Sequence, residues 1–298
     1  MMLNQEINDK KLNLNEVYNL KDPEPYYQSI NQYEYDLPER AKPYFQKIIN
    51  TYRHYESLGD LKILDIGCSY GINPALLKFD KSITELYQHY TNPLRLQQSE
   101  LSRRHLDSQW FHESSFDEQL QFIGLDIAEN AVHYAVEAQL MQKGISTNLE
   151  KLPLSQEDYA SLQDINFLIS TGCIGYITEV TFDKILAAVR DINQLWGAVF
   201  VLKMFDISGL QKTLAEYNLV LMETGVTVKQ RSFSSPDEKK SMINFLEKQG
   251  LSAEDEKESD NLFAELFLIL PPPMTNKSLI KKLLSDMKNF NSNCRYPN

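Results

Sequence analysis

From residue 61 onwards, short runs of aliphatic and β-branched residues alternate with stretches of helical periodicity. This alternation predicts βαβ units, in which parallel strands share one sheet and helices cover both of its faces. One helix is predicted over 182–195, where apolar residues recur at helical spacing. We therefore predict an α/β fold whose sheet has seven strands. The predicted strands are 62–65, 122–126, 146–149, 166–170, 198–204, 219–228 and 262–270.

The composition is that of an ordinary globular chain, because 42% of its 298 residues are hydrophobic and can bury a core. The formal net charge of -11 disfavours nucleic acid as a partner. Cys68, Cys173 and Cys294 are widely spaced and lack CxxC geometry, so neither a disulfide framework nor a metal site is expected. The sequence has no signal peptide and no apolar run of ~20 residues, which predicts a cytoplasmic protein without a membrane span.

Several segments flank or interrupt the alternation. Residues 1–58 hold eight of the sixteen tyrosines and are broken by prolines, which predicts an N-terminal helical cap before a domain over 59–271. Residues 79–120 exceed what one crossover helix needs, and we predict a helical insertion that folds over a ligand. The acidic stretch 252–261 is predicted to be a solvated loop. The basic amphipathic tail 272–298 predicts a docked helix, with a membrane-surface or partner helix as the alternative.

The most informative segment begins at Asp65, the acid that ends the first strand, and runs to Gly71 as Asp-Ile-Gly-Cys-Ser-Tyr-Gly. Its small residues let the backbone approach a ligand closely, and the helix that follows offers free N–H groups. Dinucleotide sites use the same device, so the turn alone does not choose a cofactor. Asp65 decides more, because its carboxylate can accept a hydrogen bond from an ammonium group and would repel a pyrophosphate.

This segment resembles the first motif of the class I S-adenosylmethionine (SAM)-dependent methyltransferases, in which an acid and a GxGxG-like loop hold the methionine part of the cofactor. Ser69 replaces the middle glycine of that pattern. The resemblance implies that Asp65 faces the amino-acid end of SAM. It also implies an antiparallel seventh strand, which distinguishes this fold from the dinucleotide-binding one. The close backbone would come from Gly67, Cys68, Ser69 and Gly71.

Three later segments match the same family in order. Asp126, followed by Ile127, ends the second strand, and its carboxylate can accept from both ribose hydroxyls; its alternative role is to cap the next helix. Asn148 stands where the family has an acid. Its oxygen can accept from the adenine amino group beside the Leu149 backbone, or it only shapes a loop. The fourth strand leads to Thr171, which the resemblance places at the cofactor.

The acceptor side of the site departs from the family pattern. Many members have an acid near Asn166 and a histidine near Gly175, and this sequence has neither at those positions. The catalytic candidates are therefore Tyr176 after the fourth strand, Tyr27 of the cap and His89 of the insertion. Further acceptor-side candidates are Tyr26, Tyr33, Tyr35, Thr171, Lys203 and Asp206.

The resemblance implies transfer of a methyl group from SAM, leaving S-adenosylhomocysteine (SAH). We expect a small-molecule acceptor, a metabolite or natural-product intermediate, enclosed by the cap and the insertion. A protein or peptide methyltransferase and a non-catalytic SAM-binding scaffold remain open. An NAD-dependent oxidoreductase is a further alternative, because NAD enzymes also place an acid after the second strand.

Overall fold

The computed structural model describes residues 17–113 and 116–295, with side chains as far as residue 291. One sheet of seven strands runs through its centre in the order β3-β2-β1-β4-β5-β7-β6. The first five strands are parallel, and β7 is antiparallel to both β5 and β6. The predicted seven-stranded sheet with a reversed last strand is confirmed. The strands are β1 (Leu61–Ile66), β2 (Leu120–Leu125), β3 (Lys143–Ile145), β4 (Phe167–Thr171), β5 (Trp196–Leu202), β6 (Val220–Ser232) and β7 (Asn261–Leu270).

Helices cover both faces of the sheet. The central strand β5 is buried along its whole length, as expected for a strand packed on both sides. On one face lie α2, α3 and α7, and on the other α8, α9 and α10. The helices are α1 (Glu24–Gln32), α2 (Leu37–Glu56), α3 (Ile72–Leu77), α4 (Ile83–Tyr90), α5 (Pro93–Leu96), α6 (Glu100–His112), α7 (Glu129–Glu137), α8 (Gln156–Leu162), α9 (Glu179–Ala188), α10 (Ser208–Glu216), α11 (Pro236–Lys248), α12 (Glu254–Glu258), α13 (Pro272–Thr275) and α14 (Ser278–Arg295).

The tyrosine-rich N-terminal segment contains two helices, α1 and α2, and α2 is part of the layer that covers the sheet. Phe45 of α2 packs against Phe200 of β5 with ring centroids 5.5 Å apart, and Tyr52 lies 5.1 Å from Trp196. Residues 1–16 of the predicted cap lie outside the described residues, as does the side chain of Cys294.

Two predicted elements were placed wrongly. The third strand was predicted at 146–149 but is Lys143–Ile145, because Asn148 turns the chain by accepting from the Glu150 backbone N–H. The helix predicted over 182–195 ends at Ala188. The chain then turns, although Leu195 is still buried as its periodicity suggested.

The acidic stretch after α11 was also predicted wrongly, since it contains the short helix α12. The Lys203 ammonium lies 2.6 Å from the carboxylate of Asp255 and 3.5 Å from that of Glu256. Glu256 is therefore buried at 1% exposure instead of being solvated.

The terminal helix α14 docks as predicted, with Ile280, Leu283 and Met287 buried against the core. Within residues 17–113 and 116–295, no helix is both long and apolar enough to cross a membrane.

Candidate functional site

The loop between β1 and α3 lies at the carboxyl end of the central strands and has an unusual backbone. Gly67 and Gly71 both have φ of 78°, and Ser69 between them has φ of 47°. The left-handed region normally favours glycine, because a Cβ atom there crowds the backbone. Ser69 therefore keeps the loop conformation of the glycine pattern at some conformational cost.

Asp65 is the penultimate residue of β1, directly before this loop, and is fully buried. Its Oδ1 accepts a hydrogen bond of 2.8 Å from Asn73 Nδ2. Its Oδ2 is also buried but accepts no hydrogen bond from the described residues. Burial raises the pKa of the carboxyl to about 7, and the nearby Asp126 adds to the rise while Asn73 opposes it. The site thus presents a buried oxygen without a donor.

Asn73 is a site residue that the sequence analysis missed. Its Nδ2 bridges Asp65 and the Thr171 hydroxyl, which lies 3.3 Å away at the end of β4. Asn73 therefore links the predicted cofactor residues at the ends of β1 and β4. It donates to Asp65 Oδ1 and leaves Asp65 Oδ2 without a donor from the described residues. The available signal was a single polar residue in the otherwise apolar α3 sequence, Ile-Asn-Pro-Ala-Leu-Leu.

Asp126, which follows β2, forms the second acidic position and holds the loop in place. Its Oδ2 accepts from the Ser69 backbone N–H at 3.0 Å and from the Tyr18 hydroxyl at 2.7 Å. Its Oδ1 accepts from the Ala128 N–H at 3.0 Å, so it also caps the turn that leads into α7. Burial raises its pKa in spite of these hydrogen bonds. Because β1 and β2 are adjacent parallel strands, Asp65 and Asp126 lie at the same edge of the sheet, as expected.

The segment after β3 forms a tight turn next to this site. Asn148 Oδ1 accepts from the Glu150 N–H at 3.1 Å, so this side chain helps to shape the turn. Glu150 in turn accepts from the Thr178 backbone N–H at 2.8 Å, which fastens the turn to the start of α9. Leu149 is buried, whereas Ile127 is 65% exposed directly after Asp126. Ile127 thus leaves an apolar side chain exposed beside a buried acid.

Cys68 and Cys173 are both close to the loop. The Cys173 thiol lies 3.1 Å from the Ile66 carbonyl oxygen and packs directly against Gly67. Burial raises its pKa to about 12, so it is a neutral packing group. Cys68 is buried against Gly124 of β2.

Residues 17–22 form a strap that contacts Asp126 and the loop after β1. Besides the Tyr18 contact with Asp126, the Tyr70 hydroxyl donates to the Leu20 carbonyl and accepts from the Leu20 N–H, both at 2.9 Å. Asp22 continues the strap and forms an ion pair of 3.1 Å with Arg95 of the insertion. The strap therefore connects the insertion to the carboxyl end of the sheet.

The three catalytic candidates lie in different surroundings. Tyr27 is 1% exposed and stacks on Tyr90 of the insertion with centroids 4.4 Å apart. Tyr176 is 55% exposed and lies 6.3 Å from the ring of Phe205. An exposed tyrosine with an ordinary pKa of about 10 is a neutral phenol at physiological pH.

His89 belongs to a buried polar cluster inside the insertion. Its Nε2 lies 2.7 Å from Asp107, and its ring stacks on Trp110 at 4.0 Å. Asp107 is fully buried and also accepts from Arg95 and from the Tyr134 hydroxyl. These contacts fix the insertion against α7.

The candidates after β5 are engaged elsewhere. Lys203 pairs with Asp255 of α12, as described above. Asp206 accepts from the Ser208 N–H at 2.8 Å at the beginning of α10. Both side chains therefore have structural partners.

The strand order with its reversed β7 is the arrangement of the class I methyltransferase fold, so the predicted resemblance is confirmed at the level of the fold. No protein-family model and no curated protein sequence matches the chain.

Three solved structures illustrate a remote likeness. The plantazolicin methyltransferase BpumL in complex with SAH is 12% identical, with a TM-score of 0.40 over 91% of this chain and 99% of that one. The O-methyltransferase from the trans-AT PKS multienzyme of Brevibacillus brevis, with SAH, is 12% identical, with a TM-score of 0.40 over 85% of each chain. Magnesium protoporphyrin IX methyltransferase (ChlM) from Synechocystis PCC 6803, with SAM, is 9% identical, with a TM-score of 0.36 over 76% and 79%.

Proposed function

We propose that the protein is a SAM-dependent methyltransferase acting on a small-molecule acceptor. The observation that carries the proposal is the buried Asp65 Oδ2, which accepts no hydrogen bond from the described residues and lies beneath the left-handed loop. A buried acceptor without a donor is costly, by about 1 to 3 kcal/mol or more when charged. The α-ammonium group of SAM would supply that donor and compensate the charge.

The other cofactor contacts in this proposal follow from the same edge of the sheet. The Asp126 carboxylate would accept from the ribose hydroxyls, and the exposed Ile127 side chain would cover the adenine ring. Asn148 Oδ1 has one lone pair left for the adenine amino group after its bond to the Glu150 N–H. A dinucleotide fits less well, because Asp65 would repel its pyrophosphate.

When bound, SAM supplies a methyl carbon that its sulfonium already activates toward nucleophilic attack. The chain's own task is then to hold the acceptor in line and to keep water away. Such alignment is worth up to ~7 to 11 kcal/mol of barrier. Alignment itself requires no base: a base is required only when the acceptor must lose a proton, as an alcohol does and a carboxylate does not. We propose that His89 stabilises the insertion through Asp107 rather than acting as that base.

The residues that cover the loop favour a small-molecule acceptor. Tyr26 and Tyr27, the insertion and the strap cover the site from one side, and both tyrosines are at most 4% exposed. An enclosed site suits a small molecule better than a protein side chain on a large surface. The aromatic rings would also face the positive sulfonium favourably.

Calorimetry and product identification test the proposal. The protein is titrated with SAM, SAH and NADH, and it is then incubated with methyl-labelled SAM and fractionated cell extract. Binding of SAM and SAH without NADH, together with label in a small molecule, supports the proposal. Label in protein would favour the peptide alternative, and binding without any label transfer would favour a scaffold. Binding of NADH alone would overturn the proposal.

Tyr18→Phe is expected to tighten SAH binding about fivefold, the equivalent of ~1 kcal/mol for one hydrogen bond. Asp126 Oδ2 already accepts from Ser69 and Tyr18, so a ribose hydroxyl must take the place of the phenol. The phenylalanine keeps the ring but removes the competing donor. Calorimetry with SAH measures the change, and Tyr159→Phe on the exposed surface is the control. Weaker binding would show instead that the Tyr18 hydroxyl helps to hold the cofactor.

A further inference from the structure

The side chain of Gln230 lies over the end of β4 and is not used by the site described so far. A Cβ atom on Gly172 would lie 3.9 Å from Gln230 Nε2 and 3.9 Å from the Tyr35 hydroxyl. Gly172 directly precedes Cys173, which packs against Gly67 of the cofactor loop. Gln230 and Tyr35 therefore lie beside Gly172, next to the residue that packs against the cofactor loop.

A β-bulge accounts for the direction of Gln230. In the pairing of β6 with β7, Lys229 faces Phe263 and Arg231 faces Leu262, so the register shifts across Gln230. A bulge leaves its extra residue unpaired and redirects the side chain, and bulges are common beside active sites. The freed Gln230 carbonyl accepts from the Asp36 N–H at 3.2 Å, which fastens the bulge to the start of α2.

The Gln230 side chain also carries an unused acceptor. Its Oε1 is buried and has no hydrogen-bond donor in the part of the chain that the structure describes. Buried amide oxygens normally find a partner, so one that lacks it calls for an explanation. Because the Gln230 amide group lies beside Gly172, a ligand bound there would bring the missing donor.

The side chains around Tyr35 indicate the chemical character of that ligand. Burial raises the pKa of Tyr35, and the nearby Tyr26, Tyr176 and Cys173 add to the rise. The two phenols and the thiol are neutral at physiological pH, and a fourth neighbour, Asp36, is paired with Arg40 at 2.7 Å. Arg231, whose charge acts on Tyr176, is held by Glu238 at 2.6 Å. The lining is therefore aromatic, and the charged side chains beside it are paired within the chain.

We propose that Gln230 and Tyr35 recognise the methyl acceptor, which is a neutral, aromatic or similarly apolar molecule with a hydroxyl or N–H group that donates to Gln230 Oε1. This inference rests on the proposed function, because it places the acceptor beside the cofactor loop. Gln230 is a positioning residue in this assignment, and it acts by orienting the acceptor.

Gln230→Met tests the assignment with three measurements, and Gln211→Met on the exposed face of α10 is the matched control. Methionine keeps the length of the side chain and removes the unpartnered oxygen. The melting temperature of the empty protein should stay the same or rise, and the SAH affinity should change by less than about twofold. A loss of stability would assign Gln230 a structural role and overturn the proposal.

The third measurement uses two probes in the presence of saturating SAH, benzyl alcohol as a hydroxyl donor and benzyl methyl ether as its donor-free analogue. Ligand-observed NMR should show that the wild-type protein prefers the alcohol by about fivefold, as one hydrogen bond allows. Gln230→Met should abolish the preference, and Gln211→Met should keep it. Equal binding of the two probes to the wild-type protein would overturn this inference while leaving SAH binding, and hence the proposed function, intact. Absence of SAH binding would remove both.

Discussion

Asp65→Asn is expected to weaken SAH binding at least about 100-fold while stabilising the empty protein. The asparagine keeps the shape but not the charge, and losing one partner of a buried charged pair typically costs 2 to 5 kcal/mol or more. In the empty protein the same carboxylate is buried with an oxygen that no described residue satisfies. Removing that charge should raise the melting temperature at pH 8 by about 4 °C, in line with a gain of ~1 to 2 kcal/mol.

Calorimetry and thermal unfolding of the same sample measure both effects. Asp164→Asn is a suitable control, because Asp164 forms only surface ion pairs. A variant that binds SAH as tightly as the wild-type protein would remove the basis of the proposed function. A variant that loses both binding and stability would show that Asp65 is mainly structural.

The pH dependence of binding provides an independent test of the same carboxylate. Its pKa of about 7 lies above the ordinary value, so the empty folded protein binds a proton more readily than the unfolded chain. Its contribution to stability is therefore present at low pH and is lost as the pH rises through 7. Binding of an ammonium group has the opposite sign, because it needs the ionised form. The SAH affinity should fall about tenfold from pH 8 to pH 6, and this dependence should be absent in Asp65→Asn.

The sequence predicted the parts of the molecule that depend on local patterns. The central strand β5 is a continuous run without polar residues, because helices cover both faces of the sheet. An acid at the end of a strand lies at the carboxyl edge of a parallel sheet, and the pairing of β1 with β2 brings their ends together. Asp65 and Asp126 were therefore predictable as neighbours. The position of the edge strand β3 was predicted wrongly, because a strand of three residues is too short to show a clear hydrophobic pattern.

The contacts that complete the site join residues far apart in the chain, and no local pattern encodes them. Tyr18 and Asp126 are 108 positions apart, and Asn73 and Thr171 are 98 apart. The β-bulge at Gln230 depends on the register of β6 against β7, which hydrophobic alternation does not specify. His89 was selected because tyrosines flank it, whereas its environment is set by Asp107 and Trp110 of another helix.

Gly67→Ala is expected to be the most destabilising change in the loop, by about 3 to 5 kcal/mol, the range of severe core disruptions. An added Cβ would lie 2.5 Å from Cys173 Cβ and 2.8 Å from its Sγ, and the φ of 78° adds backbone strain. The double variant Gly67→Ala/Cys173→Gly should recover part of the loss, because it removes both clashing atoms and leaves only the strain. Ser69→Gly is the opposing control in the same loop, since it relieves a left-handed residue and should stabilise the protein by about 1 kcal/mol. Chemical denaturation measures all three variants. If Gly67→Ala and Ser69→Gly changed stability in the same direction, the left-handed conformation would not be what this loop requires of its residues.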